Sequence, residues 1–343
     1  MPAASACASR AGDGLAFVAI GDWGGQSSQE PTTESQLETA AGLTDAACRL
    51  GANFSLLLGD NFYQHGIDEP AESSCRFRDT FEDVYARQQP GVPFYVCAGN
   101  HDYGEFEMAN VSSQLAYSEL SAQWHFPSLW YKIQKGFSAD GKQRSLDVLM
   151  IDTVVLCGNG QRNEAFIDEQ LQFLGRPADA GRPGWLRQAV AERQWAWLEG
   201  ELRKSTADFL LVAGHYPIWS AGIDGSSQCL IDRLRPMLVE HGAHYLSGHD
   251  HMLEHFVYEG LNTFVVGAGK ECCYPPVNLE GTPPGALRFM LAGAEGNMSQ
   301  PPTGFAVHGG FAAFAFGAET MEVSLRAHDG TVLYAAPPLE RRW

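Results

Sequence analysis

Short apolar runs that end at a glycine and a polar residue recur along this chain. The runs cover residues 15–20, 54–58, 93–98, 209–213 and 243–247, and the pairs that follow them are Gly21-Asp22, Gly59-Asp60, Gly99-Asn100, Gly214-His215 and Gly248-His249. Apolar runs of about four to eight residues bounded by turn residues are typical of strands that are buried on both faces. The pattern therefore predicts a sheet-based core with polar side chains at the strand ends.

Helical patterns lie between these predicted strands. In residues 34–50, the side chains at positions 37, 40, 41, 44, 47 and 48 share one face of a helix. Strand and helix alternate, which predicts an α/β layered fold. In open α/β sheets, ligand sites lie beyond the carboxyl ends of the strands, and the polar residues above occupy those positions.

The last third of the chain has a different pattern. Three apolar runs at 311–316, 321–326 and 332–335, with a turn at Asp329-Gly330, predict a β-meander that belongs to the same domain. We expect one domain over residues 15–339, preceded by a disordered or trimmed segment at 1–14. Two stretches rich in glycine, proline and polar residues, 158–184 and 275–285, predict long exposed loops.

Composition narrows the class of protein. Asp and Glu number 41 against 23 Lys and Arg, a net charge of −18 that repels nucleic acid and anionic membrane surfaces. The apolar runs are of strand length, so no membrane span is expected. The N-terminus lacks the apolar core of a secretory signal, which taken alone favours the cytoplasm. Eight cysteines are too few for a disulfide scaffold, and Cys48 and Cys97 are expected to be small buried apolar residues.

The polar residues at the strand ends form a candidate metal site. The potential ligands are Asp22, Asp60, Tyr63, Asn100, His215, His249 and His251, with His101 in addition. Oxygen and imidazole donors without thiolate suit iron, manganese or zinc in a catalytic site. Each glycine is expected to let the chain turn sharply off its strand, so that the ligand points into the crevice. One such motif is weak evidence, but five together predict a pair of metal ions.

These motifs resemble those of the purple acid phosphatases, specifically the small mammalian-type (tartrate-resistant) members. The resemblance runs from about residue 17 to about residue 339, includes Gly214-His215-Tyr216-Pro217-Ile218-Trp219, and is made specific by Tyr63 three residues after Asp60. It implies that Fe(III) is held by Asp22, Asp60, Tyr63 and His251, and that Asp60 bridges to a second ion held by Asn100, His215 and His249. The second ion is expected to be Fe(II), Zn(II) or Mn(II), because neutral Asn100 and two imidazoles make its site less negative.

The resemblance also implies a fold and an activity. The fold is the calcineurin-like metallophosphoesterase β-sandwich flanked by helices, in αββα layers. The expected activity is that of an acid phosphatase, in which a metal-bound hydroxide attacks a phosphate monoester directly. Small phosphomonoesters or phosphoproteins are the expected substrates of a monomeric chain. His101 is expected to protonate the departing alkoxide or to orient the phosphate, and Asp102 to orient His101 or a ligand.

The sequence departs from the family pattern in two loops. Asp224 stands where members carry a further active-site histidine, so we expect it to deliver a proton and to change the pH optimum or the substrate preference. The loop between residues 157 and 195 corresponds to the family's cleaved repression loop but has a different length and composition, so activation by cleavage is not expected to carry over.

Other matches bear on the compartment. Cys157 and Cys229 match the positions of the family's disulfide, and the sequon at Asn110 matches a glycosylation site. We therefore expect a secreted or vacuolar/lysosomal glycoprotein, with a cytoplasmic location as the alternative.

Two other functions remain possible at this point. A related metallophosphoesterase, such as a phosphodiesterase or nucleotidase, shares most of the ligands but not Tyr63. A non-catalytic metal-binding protein keeps the ligands for structural purposes or as a receptor surface. A visible absorption band and activity on para-nitrophenyl phosphate distinguish these alternatives.

Overall fold

Two β-sheets pack face to face, and helices cover the outer face of each. The computed structural model describes residues 14–67, 69–104, 111–158, 188–293 and 308–343. The first sheet has the order β14-β13-β12-β1-β2-β3-β4, with β15 paired to β13. Its strands are β1 Leu15–Ile20, β2 Phe54–Leu58, β3 Phe94–Cys97, β4 Trp124–His125, β12 Gly310–Phe316, β13 Thr320–Ala327, β14 Val332–Ala335 and β15 Leu339–Glu340.

The second sheet has the order β11-β9-β10-β8-β7-β6-β5. Its strands are β5 Tyr131–Ala139, β6 Lys142–Met150, β7 Phe209–Ala213, β8 His244–Ser247, β9 Leu253–Tyr258, β10 Leu261–Val266 and β11 Leu287–Leu291. Strands β1 to β4 run parallel in the first sheet, as do β6, β7, β8 and β10 in the second. Loops from both sets of parallel strands therefore leave at the strands' carboxyl ends.

The helices of the described residues lie between these strands in the sequence. They are α1 Glu34–Leu50, a π-helix Phe77–Ala86, a 3₁₀ helix His101–Tyr103, α2 Val111–Tyr117, α3 Thr153–Cys157, α4 Gln188–Lys204, α5 Gln228–Asp232, α6 Leu234–His241 and a 3₁₀ helix Leu279–Gly281. Helix α1 begins at a capping box between Thr33 and Gln36 and ends at Gly51 in the left-handed conformation. Within the described ranges, every helix is too short or too polar to span a lipid bilayer.

The core has two layers, which confirms the predicted αββα arrangement. In β1, Phe17 and Ala19 pack between the sheets, whereas Val18 and Ile20 pack under the helices. Strand β1 is buried along its whole length, as are β2 and β7, so the prediction of strands buried on both faces is confirmed. Between the sheets, the ring of Phe17 stacks on its cross-strand partners Phe54 and Phe314 at 4.8 and 4.4 Å.

The predicted C-terminal meander is present, and it joins the first sheet. Strands β12, β13 and β14 pair in sequence, and β12 also pairs antiparallel with β1. Among the described residues, the first and last strands share one sheet, and β1 pairs with β12 on one side and with β2 on the other.

The predicted face of α1 is partly wrong. Ala40 and Ala47 are buried as expected, but Leu37 is 48% exposed and Ala41 is exposed as well. The buried face instead includes Gln36 and Thr39 with Leu43 and Ala46. A buried polar side chain needs a hydrogen-bond partner, and the amide of Gln36 has one because it donates to the carbonyl oxygen of Thr80 at 3.2 Å.

Candidate metal centre

The loops that leave the parallel strands of both sheets meet at one edge of the sandwich. Gly21, after β1, donates its N–H to the carbonyl of Val266 at the end of β10, at 2.8 Å. Gly248, after β8, donates its N–H to the carbonyl of His215 at 2.9 Å. The first of these hydrogen bonds joins the two sheets, and the second joins the loops after β7 and β8 within the second sheet. The structure brings all seven potential ligands together at this edge.

Tyr63 lies at the centre of one half of the group. Its hydroxyl oxygen is 3.0 Å from Oδ1 of Asp22, from Oδ2 of Asp60 and from Nε2 of His251. The side chains of these residues are almost completely buried. One hydroxyl proton can be donated to only one acceptor at a time, so the hydroxyl of Tyr63 cannot satisfy all three neighbours by itself. A cation in contact with all four groups satisfies them together, and the donor set therefore fits a metal ion.

Asp60 also belongs to the other half of the group. Its Oδ2 lies 3.4 Å from Nε2 of His215, which in turn lies 3.0 Å from Oδ1 of Asn100. The ligand atoms of Asp60, His215 and His249 all lie within 4.8 Å of one another. The imidazole of His215 is oriented because its Nδ1–H donates to the carbonyl of Leu58 at 2.9 Å. One carboxylate is thus shared by two sets of donors.

Some of the glycines before the ligands serve a different purpose from the one expected. Among the five, only Gly59 has a positive φ, of 91°, as a sharp turn off the strand requires. The others permit close approach: a Cβ at Gly99 would lie 2.2 Å from Oδ1 of Asp60, and one at Gly248 would lie 2.4 Å from Oδ2 of Asp22. The prediction of a sharp turn at every glycine is therefore wrong. At Gly99 and Gly248 the missing side chains make room for the potential ligands themselves.

Three of the ligands have strained backbone conformations. The φ angles are 57° at Asp22, 51° at Asp60 and 77° at His249, all in the left-handed region that side chains other than glycine rarely adopt. Each such residue costs about 1–3 kcal/mol and persists only where the surrounding structure enforces it. Here Asp22 is held because its Oδ2 accepts the N–H of His249 at 2.7 Å. The concentration of strain at these positions is typical of a functional site.

The ligands perturb one another electrostatically. Burial lowers the pKa of the His215 imidazole, but the carboxylates of Asp60 and Asp22 outweigh it and raise that pKa to about 10. Burial likewise lowers the pKa of His251, and contacts with Asp22 and Glu271 raise it to about 9. Burial and the charge of Asp22 raise the pKa of Tyr63 well above its usual value. In the metal-free protein, protons on these side chains thus offset the negative charge of the carboxylates. Metal ions would displace those protons on binding.

His101 lies beside the group with one ring nitrogen directed towards it. Its Nδ1–H donates to the carbonyl of Gln64 at 2.7 Å, and its Nε2 lies 3.9 Å from Oδ2 of Asp60. The backbone N–H of His101 donates to Oδ1 of Asp60 at 2.9 Å. The side chain is 19% exposed, so it remains in contact with solvent. This position suits a group that exchanges a proton with a bound molecule.

Asp224 lies on an exposed loop near the same group. Its backbone N–H donates to Oδ1 of the buried Asp250 at 3.1 Å. Partial loss of water around the carboxyl raises the pKa of Asp224, and the charges of Asp22 and Asp60 add to this increase. The imidazole of His251 opposes this increase in the pKa of Asp224, and the role of Asp224 as a proton donor stays a prediction.

Asp102 organises the loops of the site and does not contact the ring of His101. The buried carboxylate accepts hydrogen bonds from the backbone N–H groups of Asn61, Phe62 and Gly99 at 2.8–3.1 Å. The side-chain amide of Gln114 donates to the same carboxylate at 2.8 Å. It therefore fixes the loop after β2 to the loop after β3, which carry Asp60 and Asn100.

Residues that no sequence motif indicated surround His251. Nδ1 of His251 lies 2.8 Å from Oε1 of Glu271, and its ring stacks on that of Tyr274 at 4.4 Å. The ammonium group of Lys270, which is only 3% exposed, lies 4.2 Å from the centroid of the Tyr63 ring. Strand β10 also ends at a glycine, Gly267, but the residue that follows it is Ala268, so the segment lacks the glycine and polar pair that marks the other strand ends.

The cysteines confirm one prediction and correct another. Cys157 and Cys229 form the expected disulfide, with an S–S distance of 2.08 Å. Cys97 is buried as expected, and its thiol lies 3.6 Å from the carbonyl oxygen of Leu57. Cys48 is wrongly predicted as a plain apolar residue, because it is disulfide-bonded. The sequon at Asn110 and residues 159–184 of the predicted loop lie outside the described residues.

The amino-acid sequence matches known proteins over most of its length. Residues 15–253 match the family model of the calcineurin-like phosphoesterases. The chain is 36% identical over 323 residues to tartrate-resistant acid phosphatase type 5 of Rattus norvegicus, which covers 93% of this chain and 89% of that protein. It is 27% identical over 287 residues to purple acid phosphatase 3 of Arabidopsis thaliana, covering 83% of this chain and 70% of that protein.

The fold also matches a solved structure. GAP50, described as the anchor in the inner membrane complex of Plasmodium, superposes with a TM-score of 0.73. The superposition covers 97% of this chain and 90% of that chain at 20% sequence identity. At this level of identity, the similarity concerns the fold alone.

Proposed function

The chain belongs to the purple acid phosphatases, within the calcineurin-like phosphoesterases, and we propose that it hydrolyses phosphate monoesters at a binuclear metal centre. The family makes the protein a phosphatase enzyme. One observation carries the proposal for the centre: Oδ2 of Asp60 lies 3.0 Å from the hydroxyl oxygen of Tyr63 and 3.4 Å from Nε2 of His215, so a single carboxylate borders both sets of donors.

We assign the ligands to two ions on this basis. Fe(III) is held by Asp22, Asp60, Tyr63 and His251, and Fe(II), Zn(II) or Mn(II) is held by Asp60, Asn100, His215 and His249. An anionic phenolate favours the trivalent ion, and a neutral amide with two imidazoles favours a divalent one. When bound beside the shared carboxylate of Asp60, two such ions would supply Lewis acidity for a phosphoryl group and lower the pKa of water.

His101 supplies the proton for the departing alkoxide. Because the carbonyl of Gln64 can only accept, the Nδ1 of His101 must carry a hydrogen. The proton available for transfer is then the one on Nε2, on the side of the ring that faces Asp60. Burial is incomplete at this side chain, so the proton is replaced from solvent after each turnover.

Asp224 adds a second group that holds a proton at acid pH. The raised pKa of this carboxyl favours its neutral form, which does not repel a phosphate dianion as an ionised carboxylate does. Ionisation of Asp224 as the pH rises weakens substrate binding. Asp224 therefore ties activity to the acid side of the pH range.

We further propose an oxidising compartment and substrates of the phosphomonoester class. The Cys157–Cys229 disulfide is stable outside the cytosol, which favours a secreted or vacuolar/lysosomal protein. A cleft of about 300 Å³ borders His251 and continues past Lys270 and Gln26. Its size admits a small phosphomonoester or the side chain of a phosphoprotein.

Hydrolysis of para-nitrophenyl phosphate by iron-loaded protein between pH 4 and pH 8 tests the proposal. We expect activity with a maximum at acid pH, two metal ions per chain and a visible absorption band. Tyr63→Phe is expected to abolish the band while the protein stays folded, because it removes the phenolate that contacts Asp22 and Asp60. Hydrolysis of bis-para-nitrophenyl phosphate in preference to the monoester contradicts the monoesterase assignment, and the absence of bound metal contradicts the centre.

A further inference from the structure

A second cluster of metal-type donors lies on the surface, formed by residues with no part in the centre described above. Its members are Glu38 on α1, His308 just before β12 and His328 in the turn after β13. One potential ligand atom from each lies within 4.8 Å of the others. His308 lies 20 positions before His328 and 270 positions after Glu38 in sequence, so the fold brings the three residues together.

The side chains are arranged by direct contacts. Nδ1 of His308 lies 2.6 Å from Oε2 of Glu38. The backbone N–H of His308 donates to Nδ1 of His328 at 3.3 Å, and the two imidazole rings stack at 5.0 Å with an angle of 15° between their planes. The side chains of His308 and Glu38 are 44% and 38% exposed, so an ion in solvent can reach them.

Two close backbone contacts hold the donor-bearing segments against the same part of α1. A Cβ at Gly42 would lie 1.9 Å from the carbonyl oxygen of His328. A Cβ at Gly309 would lie 2.1 Å from Oγ1 of Thr39. Both glycines therefore permit approaches that any other residue would block. The histidines meet the helix at a fixed position, and α1 itself is fixed by its capping box.

We propose that Glu38, His308 and His328 form a separate binding site for Zn²⁺. Two imidazoles and one carboxylate are the donors of many zinc sites, and a three-residue set leaves one position open to water. Imidazole donors favour zinc, copper or nickel over calcium and magnesium, which prefer oxygen donors alone. The ion thereby links α1 to the residue before β12 and to the residue after β13.

One residue of the proposed zinc site lines the cleft that also borders His251. His308 and His251 both line this cleft. His251 belongs to the proposed binuclear centre, whereas His308 belongs to the surface cluster, so the two metal sites are distinct but open to one space. The zinc site does not depend on the proposed phosphatase chemistry.

Titration of Zn²⁺ into iron-loaded protein by calorimetry tests the proposal. We expect one further equivalent to bind, with Glu38→Gln and His328→Gln each weakening this step at least about tenfold. Binding should also raise the melting temperature of the wild type, since a ligand of the native state stabilises it. His241→Gln, at the C-terminal end of α6, removes another histidine and serves as the matched control that should bind as the wild type does.

Two results overturn the proposal. One is the absence of any zinc binding beyond the two ions of the centre, in which case the contact between His308 and Glu38 is only an ion pair. The other is zinc binding that Glu38→Gln and His328→Gln leave unchanged, which places the ion elsewhere. Melting temperatures without zinc verify that the variants fold, and binding is compared only among variants whose iron content equals that of the wild type.

Discussion

Glu254 makes the stability of this protein depend on pH. Its side chain is completely buried on β9, where Oε2 accepts the hydroxyl of Ser220 at 2.7 Å and Oε1 accepts the N–H of Ala221 at 2.9 Å. Burial and the nearby carboxyl of Asp250 raise the pKa of Glu254 from 4.5 to about 8. The folded protein therefore favours the neutral form. Replacement by glutamine keeps the shape and the neutral charge at every pH.

The sign and size of the effect follow from this pKa. Because the pKa is raised on folding, the stabilisation is fully present below pH 4.5 and is lost as the pH rises through about 8. Between pH 5 and pH 7.5, the two pKa values give a loss of about 3 kcal/mol from this group. Asp250, whose pKa burial and Asp224 raise to about 7, changes stability in the same direction.

Urea denaturation of metal-loaded protein at pH 5 and pH 7.5 measures this loss. We expect the free energy of unfolding of Glu254→Gln to fall by about 3 kcal/mol less than that of the wild type over this interval. Glu322→Gln, on the exposed side of β13, is the control and should follow the wild type. Equal pH dependence in Glu254→Gln and the wild type would refute the argument that a buried neutral carboxyl is involved.

Three further predictions concern the site and its support. Asp224→His should shift the pH–rate profile of phosphomonoester hydrolysis, because it replaces a carboxyl of raised pKa; an unchanged profile contradicts the assigned role. Asp102→Asn places an amide donor among the backbone N–H donors that the carboxylate accepts. It should therefore destabilise the protein by about 2–3 kcal/mol and reduce the metal content measured by mass spectrometry. An unaltered melting temperature counts against this prediction. Replacement of Cys157 and Cys229 by serine should lower the free energy of unfolding, measured by urea denaturation, by about 4 kcal/mol, because the disulfide closes a loop with a sequence separation of 72. A loss below about 1 kcal/mol contradicts the view that the disulfide constrains the unfolded chain.

The sequence identified the strands and the ligand candidates because both depend on local patterns. Strands β1, β2 and β7 have the predicted bounds, since an apolar run and the glycine that ends it are adjacent in the chain. Asp22 and Asp60 follow such strands directly, and the carboxyl ends of parallel strands meet at one edge. The prediction needed no knowledge of how the two sheets face each other.

Features that depend on distant contacts were not predictable in this way. The burial of Gln36 on α1 depends on the carbonyl of Thr80, which no periodicity of apolar residues reveals. Glu271 and Tyr274 act on His251 from a segment with no ligand motif of its own. The physical role of Gly99 also depends on a neighbour from another strand, because its missing Cβ makes room for Asp60.

The position of β1 between β2 and β12 determines when its two edges can be paired during synthesis. Strand β1, which precedes Asp22, leaves the ribosome long before its partner β12, which ends at Phe316. Until that last hairpin is made, one edge of β1 has no partner in the sheet, and pairings between distant segments form slowly. This can be tested with ribosome-bound chains that are stalled either before or after β12. Added metal should be retained only by the chains that include β12. If the proposed centre holds metal, the ions are acquired only after β12 has been made and paired with β1.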